Sequence, residues 1–480
     1  MGRRALRIAS RGGIREAGGA RLVLGAGLGR LGDLVPARRE PRRGAPAPLR
    51  GGARRALARA RHGPLPHAQR ARGADGADPR GLTLAQRPAS STGRPTVKID
   101  LFYEFCQGVG RPWPAGADHR LYQQVLEQVD VGEAAGFNCF WSVEHHGSVE
   151  FAHMPAPEIF LTAVAARTKQ MRVGHAVVLT HPLFNHPVRV AERAAVLDNL
   201  SDGRLEIGFG RSTVREWDVF HIDGETTRPI LREVLEIIPR MWTEDDFSHS
   251  SEHVEIAPIT VVPRVLQEPH PPMWIAGGSP ESIELAGRGG IGYLGLTLFQ
   301  PLAALAESVR AYREAQREQQ PFGRAVNNRC GAFTYVYCAE TEDEAIHDGG
   351  PQAAAWYLTK VAALRLGWKA QREGEESAAF DRAAQIERIA ESGDSPGRSV
   401  LIKVLEGAEI SNEEFFQAMD AEDQFIVGTP DQVIEKMERY REVGLDHMMC
   451  LVQAGPSLPH EKIMKSLRLM GETVVPHFHD

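Results

Sequence analysis

From Val97 to the C-terminus, short apolar runs alternate with stretches of helical periodicity, and this alternation constrains the fold more than any other feature. Such runs, separated by helices, are the signature of a parallel sheet wrapped by helices. The strands predicted are Lys98–Phe102, Asn138–Val143, Arg172–Leu179, Arg204–Phe209, Met273–Ala276, Gly292–Leu296, Ala332–Cys338 and His447–Val452. Between them lie amphipathic helices. One starts at Pro187, carries Val190, Ala191, Ala194, Ala195 and Leu197 on one stripe, and ends at Asp202-Gly203; another starts near Pro229 and carries Ile230, Val234, Ile237 or Ile238, and Met241. Eight units predict a (β/α)8 TIM barrel. Residues 95–480 exceed the roughly 250 residues usual for that fold, so insertions are expected near 244–271 and 350–425. A doubly wound open sheet has the same periodicity; the strand count favours the barrel.

Residues 1–94 are a different kind of chain. They hold 21 Arg, 5 acids, no Lys and no aromatic residue, a net charge of +16, whereas residues 95–480 carry −22. Such a segment cannot bury enough apolar surface to offset its ordering entropy, and the expectation is a disordered N-terminal extension. Its Gly27-x-Gly29-x-x-Gly32 run lacks the strand and βαβ unit that would make it a dinucleotide site. A transit peptide and a nucleic-acid arm are alternatives, but translated GC-rich sequence upstream of a start near Val97 accounts best for Arg without Lys. An acidic body and an arm without aromatics disfavour nucleic acid. No run approaches the roughly 18 apolar residues of a membrane span, and five cysteines without a CxxC pair read as reduced thiols, so a cytoplasmic protein is expected.

In a barrel the chemistry sits where strands end. The second strand runs into Glu144-His145-His146, three ionisable groups that are costly in a core and natural in a cleft. Adjacent histidines diverge, and nothing nearby completes a metal-ligand set, so no metal site is expected; a structural histidine is the competing reading. The fourth strand runs into Gly210-Arg211-Ser212, which places an anion-binding guanidinium at a strand end. After the fifth come Gly277, Gly278, Ser279, Pro280 and Glu281, where free backbone N–H groups meet a helix N-terminus. That describes a phosphate cradle, and equally an ordinary strand-to-helix turn. Glu281 is expected to offer its N–H with its carboxylate turned away. His175 and Ala176 in the third strand, and His186 after it, complete the polar set. Tyr103, Phe105, Trp113 and Phe299 either line a substrate pocket or pack in the core.

Together these motifs resemble the bacterial luciferase-like flavin-dependent monooxygenases. The resemblance rests on Trp141-x-x-Glu144-His145-His146, His186-Pro187-Val188-Arg189, Leu197-Asp198-x-Leu200-Ser201-x-Gly203-Arg204, Gly208-x-Gly210-Arg211, Ala276-Gly277-Gly278-Ser279 and Val427-Gly428-Thr429-Pro430, in that order. Within the family the chain looks like the limonene monooxygenase branch. The resemblance implies a TIM barrel, a homodimer, and reduced FMN delivered by a separate flavin reductase. It implies that FMN and O2 form a flavin peroxide that oxygenates a small apolar substrate. It makes His145 and His146 catalytic, and Arg211, Gly277, Gly278, Ser279, Glu281, His175 and Ala176 cofactor-binding. Where luciferase carries a reactive cysteine this chain has Gly210, which argues against light emission from a long-chain aldehyde. Two further readings within the superfamily are hydride transfer with a deazaflavin coenzyme and flavin binding without turnover.

Overall fold

The computed structural model describes residues 96–479 apart from 109–112, 150, 299 and most of 366–394, together with the dipeptide Arg21–Leu22. The expected disorder of 1–94, the glycine motif at 27–32 and Phe299 fall outside the described residues; Arg21–Leu22 pairs antiparallel with Ile410–Ser411.

All eight predicted strands form. They are β1 (Lys98–Tyr103), β2 (Cys139–Ser142), β3 (Arg172–Leu179), β4 (Leu205–Gly210), β5 (Met273–Ala276), β6 (Gly292–Leu296), β7 (Cys330–Cys338) and β8 (His447–Leu451). Each pairs in parallel with the next, and β8 returns to β1 in a register running from His447 opposite Lys98 to Leu451 opposite Phe102. The sheet is closed, which rules out the open doubly wound arrangement. Strands covered on both faces need apolar residues at every position, and for that reason they read as runs rather than as alternation.

Helices α1 (Ala117–Ala134), α2 (Pro157–Arg167), α3 (Pro187–Leu200), α4 (Val214–Val219), α5 (Thr227–Thr243), α6 (Pro280–Arg288) and α7 (Leu302–Ala315) follow successive strands. In α3, Pro187 occupies the first turn, the His186 ring accepts from the Val188 N–H, and the chain turns away at Asp202 and Gly203, both at positive φ. Residues 244–271 include a hairpin of Phe247–Ser250 and Glu255–Ile259, and 350–425 include α8 (Gly350–Arg365) and helices at Pro396–Glu406 and Asn412–Asp420.

The amino-terminal end of the barrel is plugged by two buried carboxylates, each holding an indole. Asp100 accepts from Trp141 Nε1 at 2.9 Å and Asn138 Nδ2 at 2.8 Å, with His447 Nδ1 at 2.7 Å. Glu206 accepts from Trp274 Nε1 at 2.7 Å, Arg172 Nε at 2.7 Å and Arg329 at 2.8 and 3.1 Å. The tryptophans meet edge to face, 5.6 Å between centroids. The neighbouring strands make room with glycine: a Cβ at Gly174 would lie 2.2 Å from Trp141, and one at Gly292 would lie 2.4 Å from Trp274.

Candidate active site

At the opposite end, the chain leaving β2 carries His145, held between two carboxylates. Its Nδ1 lies 3.1 Å from Glu216 Oε1 in α4, and its Nε2 lies 3.5 Å from Glu104 Oε2 just beyond β1. Glu216 is fully buried. It also accepts from the His146 N–H at 2.7 Å, from the Thr213 N–H and hydroxyl, and from the Ser212 hydroxyl. Burial alone would lower the His145 pKa, but the two carboxylates outweigh it and raise it to about 10. Burial would likewise raise that of Glu216; His145 and the hydrogen bonds instead lower it to about 2. Glu104 Oε1 accepts from Tyr357 of α8 at 2.7 Å, while its Oε2, also buried, has no well-formed hydrogen bond. The insertion therefore reaches into this site, where Phe151 packs against His145, Trp356 and Tyr357.

His146 turns the other way. Its Nε2 is 3.2 Å from Glu144 Oε1, and its ring stacks on Phe184. Glu144 is itself fixed by Asn185 Nδ2 and the Leu179 N–H. His175 is not brought to His145. It lines a small cavity with Glu158 and Arg193, which belong to α2 and α3, and so lies on the helix-facing side of β3; burial lowers its pKa to about 4, and its Nδ1 has no partner. Ala176 begins a non-proline cis peptide, where the register of β3 against β4 shifts.

The residues expected to bind an anion lie on the β4–β5 side. Arg211 donates to Thr227 Oγ1 at 3.2 Å, and its guanidinium lies 5.8 Å from the centre of the Trp217 ring. Ser279 caps α6 by accepting from the Ser282 N–H, with Pro280 in the first turn. A Cβ on Gly278 would meet nothing within 4 Å, so the backbone there faces open space. Arg211, Arg228, Glu281 and Ser282 line a cavity of about 530 Å³. Burial and the nearby Arg228 lower the Arg211 pKa and Glu281 acts against them, the same cavity being lined also by Arg232, Arg288, Glu284 and Glu318. One detail corrects the sequence reading: the Glu281 carboxylate does not turn away, but lies 3.3 Å from Arg228. The short helix α4 joins the two half-sites, because Glu216 holds His145 while Trp217 Nε1 donates to the Arg211 carbonyl at 2.6 Å.

Sequence reasoning missed Glu104, Glu216, Arg228 and Tyr357. Glu104 had a signal, an acid directly after an apolar strand; Thr213-x-x-Glu216 reads as a capping box, which it also is. Tyr103 and Phe105 are core residues: Tyr103 donates to Gln128 of α1, and Phe105 packs on Phe160. Trp113 is half exposed, its Nε1 donating to Asp118. Among the described residues no cluster of three metal-ligating side chains occurs, and no helix is long and apolar enough to cross a membrane.

A closed barrel whose strand ends carry a carboxylate-held histidine and, on the β4–β5 side, an arginine and a glycine-bearing helix start has its polar groups where barrel enzymes do their chemistry. The family model for luciferase-like monooxygenases matches residues 102–447, and the chain belongs to that family of flavin-dependent enzymes. The oxygenase component of the flavin-dependent trigonelline monooxygenase of Acinetobacter baylyi is 25% identical over 365 residues, 75% of this chain and 91% of that one. Limonene 1,2-monooxygenase of Rhodococcus erythropolis is 24% identical over 384 residues, 77% and 85% of the respective chains. The crystal structure of monooxygenase RslO1 from Streptomyces bottropensis is 26% identical, with a TM-score of 0.59 over 80% of this chain and all of that one.

Proposed function

We propose that this protein is the oxygenase of a two-component system that takes reduced FMN from a separate reductase and uses O2 to oxygenate a small apolar organic molecule in the cytoplasm. The observation that carries the reading is the joining, through α4, of a carboxylate-held histidine to Arg211, which lines one cavity with Arg228 and the start of α6. The residues fit the phosphate of FMN. Arg211 supplies a positive charge for the anion and Arg228 a second one shared with Glu281, the N–H groups of Gly277, Gly278, Ser279 and Glu281 lie at the positive end of α6, and the Gly278 face leaves the approach open. Bound reduced flavin supplies the activation of oxygen. The chain's own part is to hold the phosphate, to present His145, set by Glu216 and Glu104, as an acid near neutral pH with His146 next to it on Glu144, and to keep water out with Phe151, Trp356 and Tyr357. A separate reductase accords with the trigonelline relative being the oxygenase component of its system. Exposed Ile159, Val196 and Leu200 on the mutually packed α2 and α3 support a homodimer through those helices.

The test is His145→Ala with reduced FMN and O2. The variant is expected to bind flavin and consume oxygen but to release it as hydrogen peroxide, without product from a substrate the wild type converts. Unchanged coupling would remove His145 from the chemistry.

A further inference from the structure

We propose that Glu216 is the positioning residue of the site: it fixes His145 with Nδ1–H engaged and keeps the ring cationic, so that His145 meets its reaction partner as an N–H donor and not as a base. The inference deepens the flavin reading above and takes its role for His145 from it.

The geometry carries the argument. Glu216 is 0% exposed and belongs to a six-residue helix, yet both of its oxygens are committed. Oε1 takes His145 Nδ1 at 3.1 Å and the His146 N–H at 2.7 Å; Oε2 takes the Thr213 N–H at 3.2 Å, the Thr213 hydroxyl at 3.0 Å and the Ser212 hydroxyl. A capping box needs, of these bonds, only the one from the Thr213 N–H. The bonds to residues 145 and 146 instead tie the loop after β2 to the loop after β4, setting the histidine relative to Arg211. With four N–H or O–H donors around it, Glu216 is held ionised, and an ionised acceptor at Nδ1 dictates that Nδ1 carries a hydrogen. On the other side of the ring stands Glu104, whose Oε1 is occupied by Tyr357. Its Oε2 faces Nε2 from 3.5 Å, close enough to favour the cation and too far to lock the Nε2–H.

Other charged or titratable groups near His145 are His146, the next residue; Arg215 of α4, which donates to the Gly147 carbonyl at 3.3 Å; Cys106, beyond Glu104 on the same loop; and, from α8, Tyr357 on Glu104 and Lys360, whose ammonium lies 5.9 Å from the centre of the Trp356 ring. Neither His146 nor Arg215 offsets two carboxylates at 3.1 and 3.5 Å. The Nε2–H is therefore the group available to a reacting oxygen. If its proton is transferred, the ring is left neutral between two carboxylates and regains a proton from solvent.

The test needs no flavin. The full chain is prepared with 13Cε1-labelled histidine, the His145 signal is assigned by its loss in His145→Gln, and its titration is followed by NMR. The wild-type midpoint is expected well above that of an ordinary histidine. Glu216→Gln should lower it by about two units, and Glu216→Asp, which keeps the charge, should restore most of that shift. A merely structural role would change melting temperature without moving the midpoint. Should Glu216→Gln fail to fold, Glu104→Gln reads the same field from the other side and is expected to lower the midpoint by about one unit. A wild-type midpoint near 6.5, or midpoints unmoved in the variants, overturns the proposal. Because flavin is absent, failure here leaves the flavin reading standing, and failure of the flavin reading leaves this titration unchanged.

Discussion

The two ends of the barrel are built from the same residue types to opposite purposes. At the amino-terminal end Asp100 and Glu206 are buried and their carboxylates receive indole, imidazole, amide and guanidinium groups until every oxygen is engaged. At the carboxyl-terminal end Glu104, Glu144 and Glu216 are also buried, but Glu104 Oε2 has no well-formed hydrogen bond and only His145 Nε2 near it, 3.5 Å away, and Arg211 lines a cavity with the Arg228–Glu281 pair. A satisfied buried network is a fixture, because changing any member strands the others. An unsatisfied one costs stability in the resting protein and is kept where something else must bind or react.

That contrast breaks first at Glu206. Glu206→Ala strands Arg329, the Trp274 N–H and part of Arg172, and is expected to cost about 3–5 kcal/mol by denaturant unfolding. A loss under about 1 kcal/mol would show that the floor is not the fixture described here.

Acid should act between β3 and helices α2 and α3, where His175 lies. His175 is neutral in the fold because its pKa is lowered to about 4, whereas in the unfolded chain it protonates near 6.5. Unfolding thus takes up a proton between those values, and stability should fall by up to roughly 3 kcal/mol as pH drops from 6.5 to 4 and level off from this source below that. His145 has the opposite sign: what it contributes is complete below 6.5 and is lost as pH rises towards 10. In His175→Gln the acid-side slope between 6.5 and 4 should flatten; an unaltered slope would assign it elsewhere.

Arg211→Ala should leave unfolding nearly unchanged while weakening FMN about ten- to a hundredfold, with phosphate-free riboflavin little affected. Equal losses for both ligands, measured by calorimetry, would take Arg211 out of the phosphate site. The smallest effect belongs to Gly278→Ala. Its Cβ meets no atom within 4 Å, so stability should change by less than about 0.5 kcal/mol while FMN binding weakens, and FMN affinity equal to wild type would move the phosphate away from this backbone.

What the sequence disclosed follows the same division. The strands were legible because burial on both faces leaves an apolar run, and His145, Arg211 and the Gly277–Glu281 turn were legible because strand ends are where polar residues interrupt those runs. Glu216 and Tyr357 were not, since each acts through space from a helix whose local pattern is ordinary. His175 was assigned to the cofactor although it faces α2 and α3; the irregularity of β3 after His175 upsets the alternation by which sides are told apart.

The central claim is that the mouth binds reduced FMN and directs O2 to a substrate. It is tested most directly by anaerobic titration of the protein with reduced FMN and, in parallel, with a reduced deazaflavin coenzyme, followed by admission of oxygen. Tighter binding of reduced FMN, with oxygen consumed by the complex, is the expected result; preference for the deazaflavin without oxygen consumption would contradict the account and make the protein a hydride-transfer enzyme.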